Sequence, residues 1–224
     1  MYLFYNNTGA FAVDAYEPAL IKAMLSRKLE HGKVYSKTSL FNQEELERSR
    51  ELYAADTTHH HFDHSGGNEE LSKMFPNVKF YTGTNTSDYQ IITCINAKIK
   101  CIKTPSHTMD SVCYVVDDRY VLTGDFLFKL GCGKFFEGNA SMFVESVNKL
   151  KTHVSKNAIL LYGHDYTHSN LGFAYTIRKY TNEELSKILN TEFLTFEDEL
   201  NLNVFLEAQN EKEVEKLRNK KDAF

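Results

Sequence analysis

The chain has 224 residues and a net charge of −4, with a pI near 6.1, which leaves no electrostatic argument for nucleic-acid binding. Its apolar content of 42% suits a globular protein, and no apolar run approaches the ~20 residues that cross a bilayer. Four cysteines (Cys94, Cys101, Cys113, Cys132) lack C-x-x-C pairing and fall in apolar stretches, which points to reduced thiols and a cytoplasmic setting.

In chain order, Met1–Tyr5 predicts a first strand rather than a leader, having neither a basic flank nor small cleavage-type residues. It turns at Asn6-Asn7-Thr8-Gly9 into a second strand, Ala10–Val13. Glu17–Lys28 carries apolar residues at helical spacing, and Asn42-x-x-Glu45 opens a charged, capping-box-like helical pattern over Asn42–Tyr53. Helical spacing returns at Gly67–Phe75 and Ser141–His153. Strands are expected at Phe80, Lys98–Lys103, Ser111–Val116, Tyr120–Gly124 and Ile159–Tyr162. After Gly172 there is neither glycine nor proline. Thr181-x-x-Glu184 forms a second capping box, and Val204, Phe205, Ala208, Val214 and Leu217 continue the helical spacing. Two domains follow from this change of character: residues 1–168, and a small helical domain over 169–224.

Chemistry concentrates in Thr58-His59-His60-His61-Phe62-Asp63-His64, where His59, His61, Asp63 and His64 put four metal-type donors into six residues. If the strand stays extended through His61, its period of two puts His59 and His61 on one side and His60 on the other. Asp63 and His64, after a turn, face a second point. Two donor sets at neighbouring points describe a binuclear hydrolytic centre, with N and O ligands that suit zinc, iron or manganese. Three further donors sit at strand ends: His107 in the Thr104–Thr108 loop, Asp125 after Gly124, and His164 after Gly163. Alone, Gly124-Asp125 would read as an ordinary turn half the time. The coincidence of all three beside the histidine run favours the metal centre.

These motifs carry a resemblance. Thr57–Asn68, the Thr104-Pro105-Ser106-His107-Thr108 loop, Gly124-Asp125, Gly131-Cys132-Gly133-Lys134-Phe135, Gly163-His164-Asp165-Tyr166-Thr167 and the ending Arg218-x-x-Lys221-Asp222-x-Phe224 are similar to those of the hydroxyacylglutathione hydrolases (glyoxalase II), metallo-β-lactamase-fold enzymes. The resemblance implies an α+β, four-layer αββα sandwich with a C-terminal helical domain. It implies that His59, His61 and His107 hold one metal, that Asp63, His64 and His164 hold the other, and that Asp125 bridges them. Asp63 and Asp125 would act through a hydroxide held between two divalent ions, zinc first, with iron or manganese as alternatives. His60 receives no ligand role. Lys134, Tyr166, Arg218 and Lys221 match residues that grip glutathione, whereas Phe136 stands where the family has a tyrosine whose hydroxyl contacts it. The expected activity is cleavage of S-D-lactoylglutathione to glutathione and D-lactate, in methylglyoxal detoxification, by a monomer needing no membrane or nucleic acid.

Other readings remain open on the residues. Lys134 alone would be a solvated loop lysine, Arg218 and Lys221 a charged helix face, and Tyr166 a core aromatic. An iron-dependent persulfide dioxygenase, another hydrolase of this fold acting on β-lactams, lactones or phosphodiesters, or a metal-retaining binding module would share the histidine run.

Overall fold

Short apolar runs broken by turn residues fold as paired strands. Tyr2–Tyr5 (β1) and Ala10–Val13 (β2) pair antiparallel, Tyr2 opposite Val13. Asn6 closes their connection: its N–H donates to the Gly9 carbonyl (3.0 Å), and its Oδ1 accepts from the Gly9 N–H (3.3 Å). The computed structural model describes residues 1–6, 9–25 and 51–224. The capping box from Asn42 therefore lies outside the described residues, as does the 26–28 end of the helix expected from Glu17. That helix is seen as α1, Pro18–Leu25. The helical pattern expected to run on to Tyr53 does not hold at its end, where Leu52 and Tyr53 begin a strand that pairs with β2.

The chain continues through β3 (Leu52–Thr57), α2 (Phe62–Ser65), α3 (Asn68–Met74), β4 (Lys79–Thr82), β5 (Ile91–Cys94), β6 (Ala97–Lys103), β7 (Val112–Val116) and β8 (Tyr120–Gly124). Next come β9 (Leu127–Phe128), β10 (Gly131–Cys132), α4 (Ala140–His153) and β11 (Ile159–Tyr162). Five helices finish it: α5 (Thr167–Tyr175), α6 (Asn182–Asn190), α7 (Phe196–Leu202), α8 (Val204–Glu207) and α9 (Glu211–Asp222).

Two compact units emerge, and the histidine run is divided between them. The first comprises Met1–Thr57, His61–Tyr81 and Thr93–Ala97. It holds the sheet ordered β1-β2-β3-β4, with β2 and β3 parallel. Its small core sets Ala10, Ala12 and Ala55 against Ile21, Leu52 and Leu71. The second comprises Thr58–His60, Thr82–Ile92 and Lys98–Phe224. It holds β6, β7 and β8 in antiparallel succession, β11 parallel to β8, and the hairpin β9–β10. Val115, Val121, Phe126, Phe143 and Leu160 share one large core with Phe173, Phe196 and Phe205 from the C-terminal helices. Thr181 and Glu184 cap α6 reciprocally, as their spacing predicts, and Thr195 and Asp198 cap α7 the same way. All four cysteines are buried, and none forms a disulfide among the described residues.

One residue in the first unit works against its own fold. Asp56 on β3 is fully buried (0% exposed), and neither carboxylate oxygen has a hydrogen-bond partner among the described residues. Burial, and secondarily the charge of Asp14, hold its carboxyl well above the ordinary carboxylate range. The folded state therefore disfavours the charged form relative to the unfolded chain, which costs stability above pH 3.8, a cost that fades as pH falls towards that value. Asp56→Leu is expected to add about 1–3 kcal/mol at pH 7, the cost of an unpaired buried polar group. Urea unfolding at pH 7 and 5 checks this, since the gain should shrink at pH 5; an unchanged or lowered midpoint at pH 7 would be the contrary result.

Candidate metal centre

Strand pairing places the donors of the second unit. Because β8 and β11 are parallel neighbours, with Tyr162 opposite Gly124, their C-terminal ends lie side by side. The Gly163 N–H donates to the Gly124 carbonyl at 3.0 Å. The residues that follow, Asp125 and His164, are consequently adjacent: His164 Nε2 lies 3.6 Å from Asp125 Oδ1. Gly124 adopts φ +49°, and a Cβ there would meet Thr58 Oγ1 at 2.3 Å. That close approach needs glycine, and it brings Thr58 and His59 to the end of β8. The Thr58 carbonyl accepts from the Val112 N–H at 2.9 Å.

His107 reaches the same place from the loop between β6 and β7, which the Thr104 N–H closes on the Ser111 carbonyl (2.9 Å). Its Nε2 lies 3.7 Å from Asp125 Oδ2, and its ring meets His59 edge-on with centroids 4.9 Å apart. Ligand atoms of His59 and His107, and of His59 and Asp125, lie within 4.8 Å of each other. Separations of 3.6–3.7 Å are long for hydrogen bonds. They match two donors on one tetrahedral ion with bonds of ~2.0–2.1 Å, which sit roughly 3.4 Å apart. The other nitrogen of His107, Nδ1, donates to the Lys134 carbonyl at 2.8 Å, so Nε2 is the nitrogen turned to Asp125. Gly133 makes room for this contact: a Cβ would lie 2.0 Å from the Asp125 carbonyl oxygen and 2.8 Å from His107 Nδ1.

The first unit holds donors of its own. β3 ends at Thr57, so the histidines occupy a bend rather than extended strand, and α2 begins at Phe62. This single helical turn carries Asp63 and His64, whose Oδ2 and Nε2 are 3.6 Å apart. His64 Nδ1 lies 2.8 Å from Asp14 Oδ2, both groups buried, so that Nδ1–H donates to the carboxylate and Nε2 stays available. Asp14 sits at the end of β2 with φ 53°, and its N–H donates to the Asp56 carbonyl at 2.9 Å. His61 is half-buried, and its carbonyl accepts from the N–H groups of His64 (3.0 Å) and Ser65 (2.9 Å). Histidine and carboxylate donors gathered with their second nitrogens fixed bind a divalent metal ion.

The histidine outside the expected ligand set has another task. His60 is half exposed, with Nδ1 2.8 Å from Asp110 and Nε2 3.4 Å from Glu137. The hydrogen bond to Asp110 raises its pKa above the usual imidazole value.

The residues expected to bind substrate belong to the second unit, and Phe136 and Tyr166 lie beside its histidines. Phe136 is 61% exposed and packs edge-on to His107 at 5.3 Å, with Lys134 Nζ 5.7 Å from its ring centroid. Tyr166 stacks on His164 (5.3 Å) and meets Phe128 edge-on (5.0 Å). Arg218 and Lys221 are more embedded than a charged helix face would be. The Arg218 guanidinium, 8% exposed, donates to the Cys132 carbonyl (2.9 Å) and to Asp222. Lys221 Nζ donates to Asn170 Oδ1 at 2.7 Å, and burial lowers its pKa to about 8, with Arg218 adding to the effect.

Sequence reasoning missed Asp14, whose partner lies 50 residues away, and Glu199. The latter is fully buried, and burial pushes its carboxyl up to about 7 against three donors that hold it. A carboxylate inside a helical pattern gives no signal of either kind.

No family model matches the chain. A probable hydroxyacylglutathione hydrolase of Encephalitozoon cuniculi is 34% identical over 235 residues, covering 100% of this chain and 92% of that protein. Among solved structures, ETHE1 from Myxococcus xanthus superposes with a TM-score of 0.68 at 19% identity, over 97% of this chain and 84% of the other. The B3 metallo-β-lactamase BLEG-1 gives 0.64 at 16%, over 92% and 93%. These similarities show the metallo-β-lactamase fold, in agreement with the α+β expectation.

Proposed function

We propose that this chain, which belongs to the hydroxyacylglutathione hydrolase family, hydrolyses hydroxyacyl-glutathione thioesters. Its expected substrate is S-D-lactoylglutathione, released as glutathione and D-lactate in the removal of methylglyoxal. One observation carries most of the weight: His107 and His164 each turn Nε2 to a different oxygen of Asp125, at 3.7 and 3.6 Å. A carboxylate shared in this way suits a bridge between two ions.

In this reading His59, His61 and His107 would hold one ion, Asp63, His64 and His164 would hold the other, and Asp125 would serve both. Zinc is the first choice for such N and O donors, with iron or manganese accepted by the same set. When bound, two divalent cations lower the pKa of a water and polarise the thioester carbonyl. The chain's own residues do the rest. Asp14 and the Lys134 carbonyl keep His64 and His107 in the tautomer that presents Nε2. Asp63 is a ligand that can also take the proton of the attacking water. The leaving thiol has a pKa near ~8.5, so its departure needs no strong acid from the protein.

Substrate grip falls to Lys134, Phe136, Tyr166, Arg218 and Lys221. Lys134, Arg218 and Lys221 offer cations to the carboxylates of glutathione. Phe136 and Tyr166 offer ring faces beside His107 and His164. Phe136 has no hydroxyl, so one polar contact expected from the family tyrosine is absent. We assign residues 1–168 to a catalytic domain, which also carries Lys134, Phe136 and Tyr166, and 169–224 to a helical domain that adds Arg218 and Lys221 to the substrate grip. No helix among the described residues is long and apolar enough to cross a membrane. Buried thiols outside any disulfide support a cytoplasmic setting, and we take the protein to act as a monomer.

Purified protein of known metal content should consume S-D-lactoylglutathione, releasing free thiol and D-lactate in equal amounts. Failure to cleave it, with oxygen uptake on a persulfide instead, would replace this reading with a dioxygenase.

A further inference from the structure

We propose that Glu199 is a positioning residue for the thioester reaction, pinning the β9–β10 hairpin so that the Gly133–Lys134 backbone stays aligned with His107. The proposal deepens the thioesterase reading and rests on it for the reaction concerned. Glu199 lies on α7, fully buried. Its two oxygens accept from the Leu130 N–H (3.1 and 3.2 Å), the Tyr162 hydroxyl (2.9 Å) and Asn203 Nδ2 (2.8 Å).

A buried carboxylate could serve only to fasten α7 to β11. The hairpin shows that more depends on it. Phe128 pairs with Gly131, leaving Lys129 and Leu130 as a two-residue turn with Leu130 at φ 59°. A left-handed leucine is strained, and its N–H is the group Glu199 holds. The hairpin's outward carbonyls are also taken by side chains of later helices: Gly131 by Asn203 (3.0 Å), Lys129 by Asn170 (2.9 Å) and Cys132 by Arg218 (2.9 Å). Two strands of two residues cannot hold a conformation on their own. Directly after them Gly133 abuts Asp125, and the Lys134 carbonyl orients His107. A hairpin that slackens therefore releases the acceptor that sets the His107 ring.

The test compares Glu199→Ala, Glu199→Gln and a core control, Val147→Ala on α4, in metal-loaded protein. Kinetics on S-D-lactoylglutathione are combined with amide exchange over residues 127–134. Glu199→Ala should lose roughly 10- to 100-fold in kcat/KM, the range for groups that orient a metal ligand, with faster exchange from Leu130 to Lys134. Glu199→Gln still offers Leu130 an acceptor and should recover most of the rate. Val147→Ala should lose thermal stability yet keep its kcat/KM. Should Glu199→Ala not fold, Asn203→Ala takes its place with the same expectation. Wild-type kcat/KM and exchange in a folded Glu199→Ala, or an equal loss of rate in Val147→Ala, would overturn the proposal. If the wild type does not cleave the thioester, the function reading fails by itself. The exchange measurement then decides the positioning role: equal protection in wild type and Glu199→Ala ends it.

Discussion

Asp125→Ala is expected to abolish turnover, by more than about 10³-fold, and to remove both ions rather than one. The size follows from what the carboxylate does. Asp125 follows β8 with one oxygen facing His107 and the other facing His164, so it serves two histidines at once. Its removal leaves two imidazoles of the second unit without a common partner. It also costs the charge that would balance two dications, more than the 10²–10³ typical of losing a single stabilising donor. Metal analysis after dialysis, with the thioester assay, checks this. A variant that keeps two ions and its rate would refute the bridging role.

Lys221→Ala is expected to raise KM for glutathione thioesters roughly 10- to 100-fold, the worth of a hydrogen bond between charged groups, and to spare uncharged thioesters. Its pH dependence carries a sign of its own. Burial holds the Lys221 ammonium at about 8, so the charged form predominates below that pH and is lost above it. kcat/KM for glutathione thioesters should therefore fall as pH climbs through about 8, and Lys221→Ala should lack that fall. Arg218→Ala behaves differently, because the guanidinium also holds the Cys132 carbonyl. It should lower both kcat/KM and thermal stability, whereas Lys221→Ala mainly raises KM. Equal effects of Lys221→Ala on charged and uncharged thioesters would contradict the carboxylate clamp.

The meeting of Asp125 with His164 was legible because local pattern points to it: an apolar strand, a glycine that permits close approach, then a carboxylate or imidazole. Asp125 and His164 both follow that rule, and the parallel pairing of β8 with β11 turns a sequence pattern into adjacency. What escaped was set by distant partners. Asp14 reads as an ordinary strand end until His64 meets it. The β9–β10 hairpin is too short to register as strand, and side chains of Asn170, Glu199, Asn203 and Arg218, 41 to 86 residues removed from their contacts, hold it in place. The same contacts fix where the C-terminal helices stop and start. Asn203 ends α7 by bonding to Gly131 and by capping α8 through the Phe205 N–H, and Asn210 opens α9. Each asparagine interrupts a run whose apolar periodicity continues across it.

The most direct test is the metal content of catalytically active protein. Two divalent ions per chain, with S-D-lactoylglutathione cleaved and no oxygen consumed, is the predicted result. A single iron with oxygen uptake, or full thioesterase activity in protein stripped of transition ions, would contradict it.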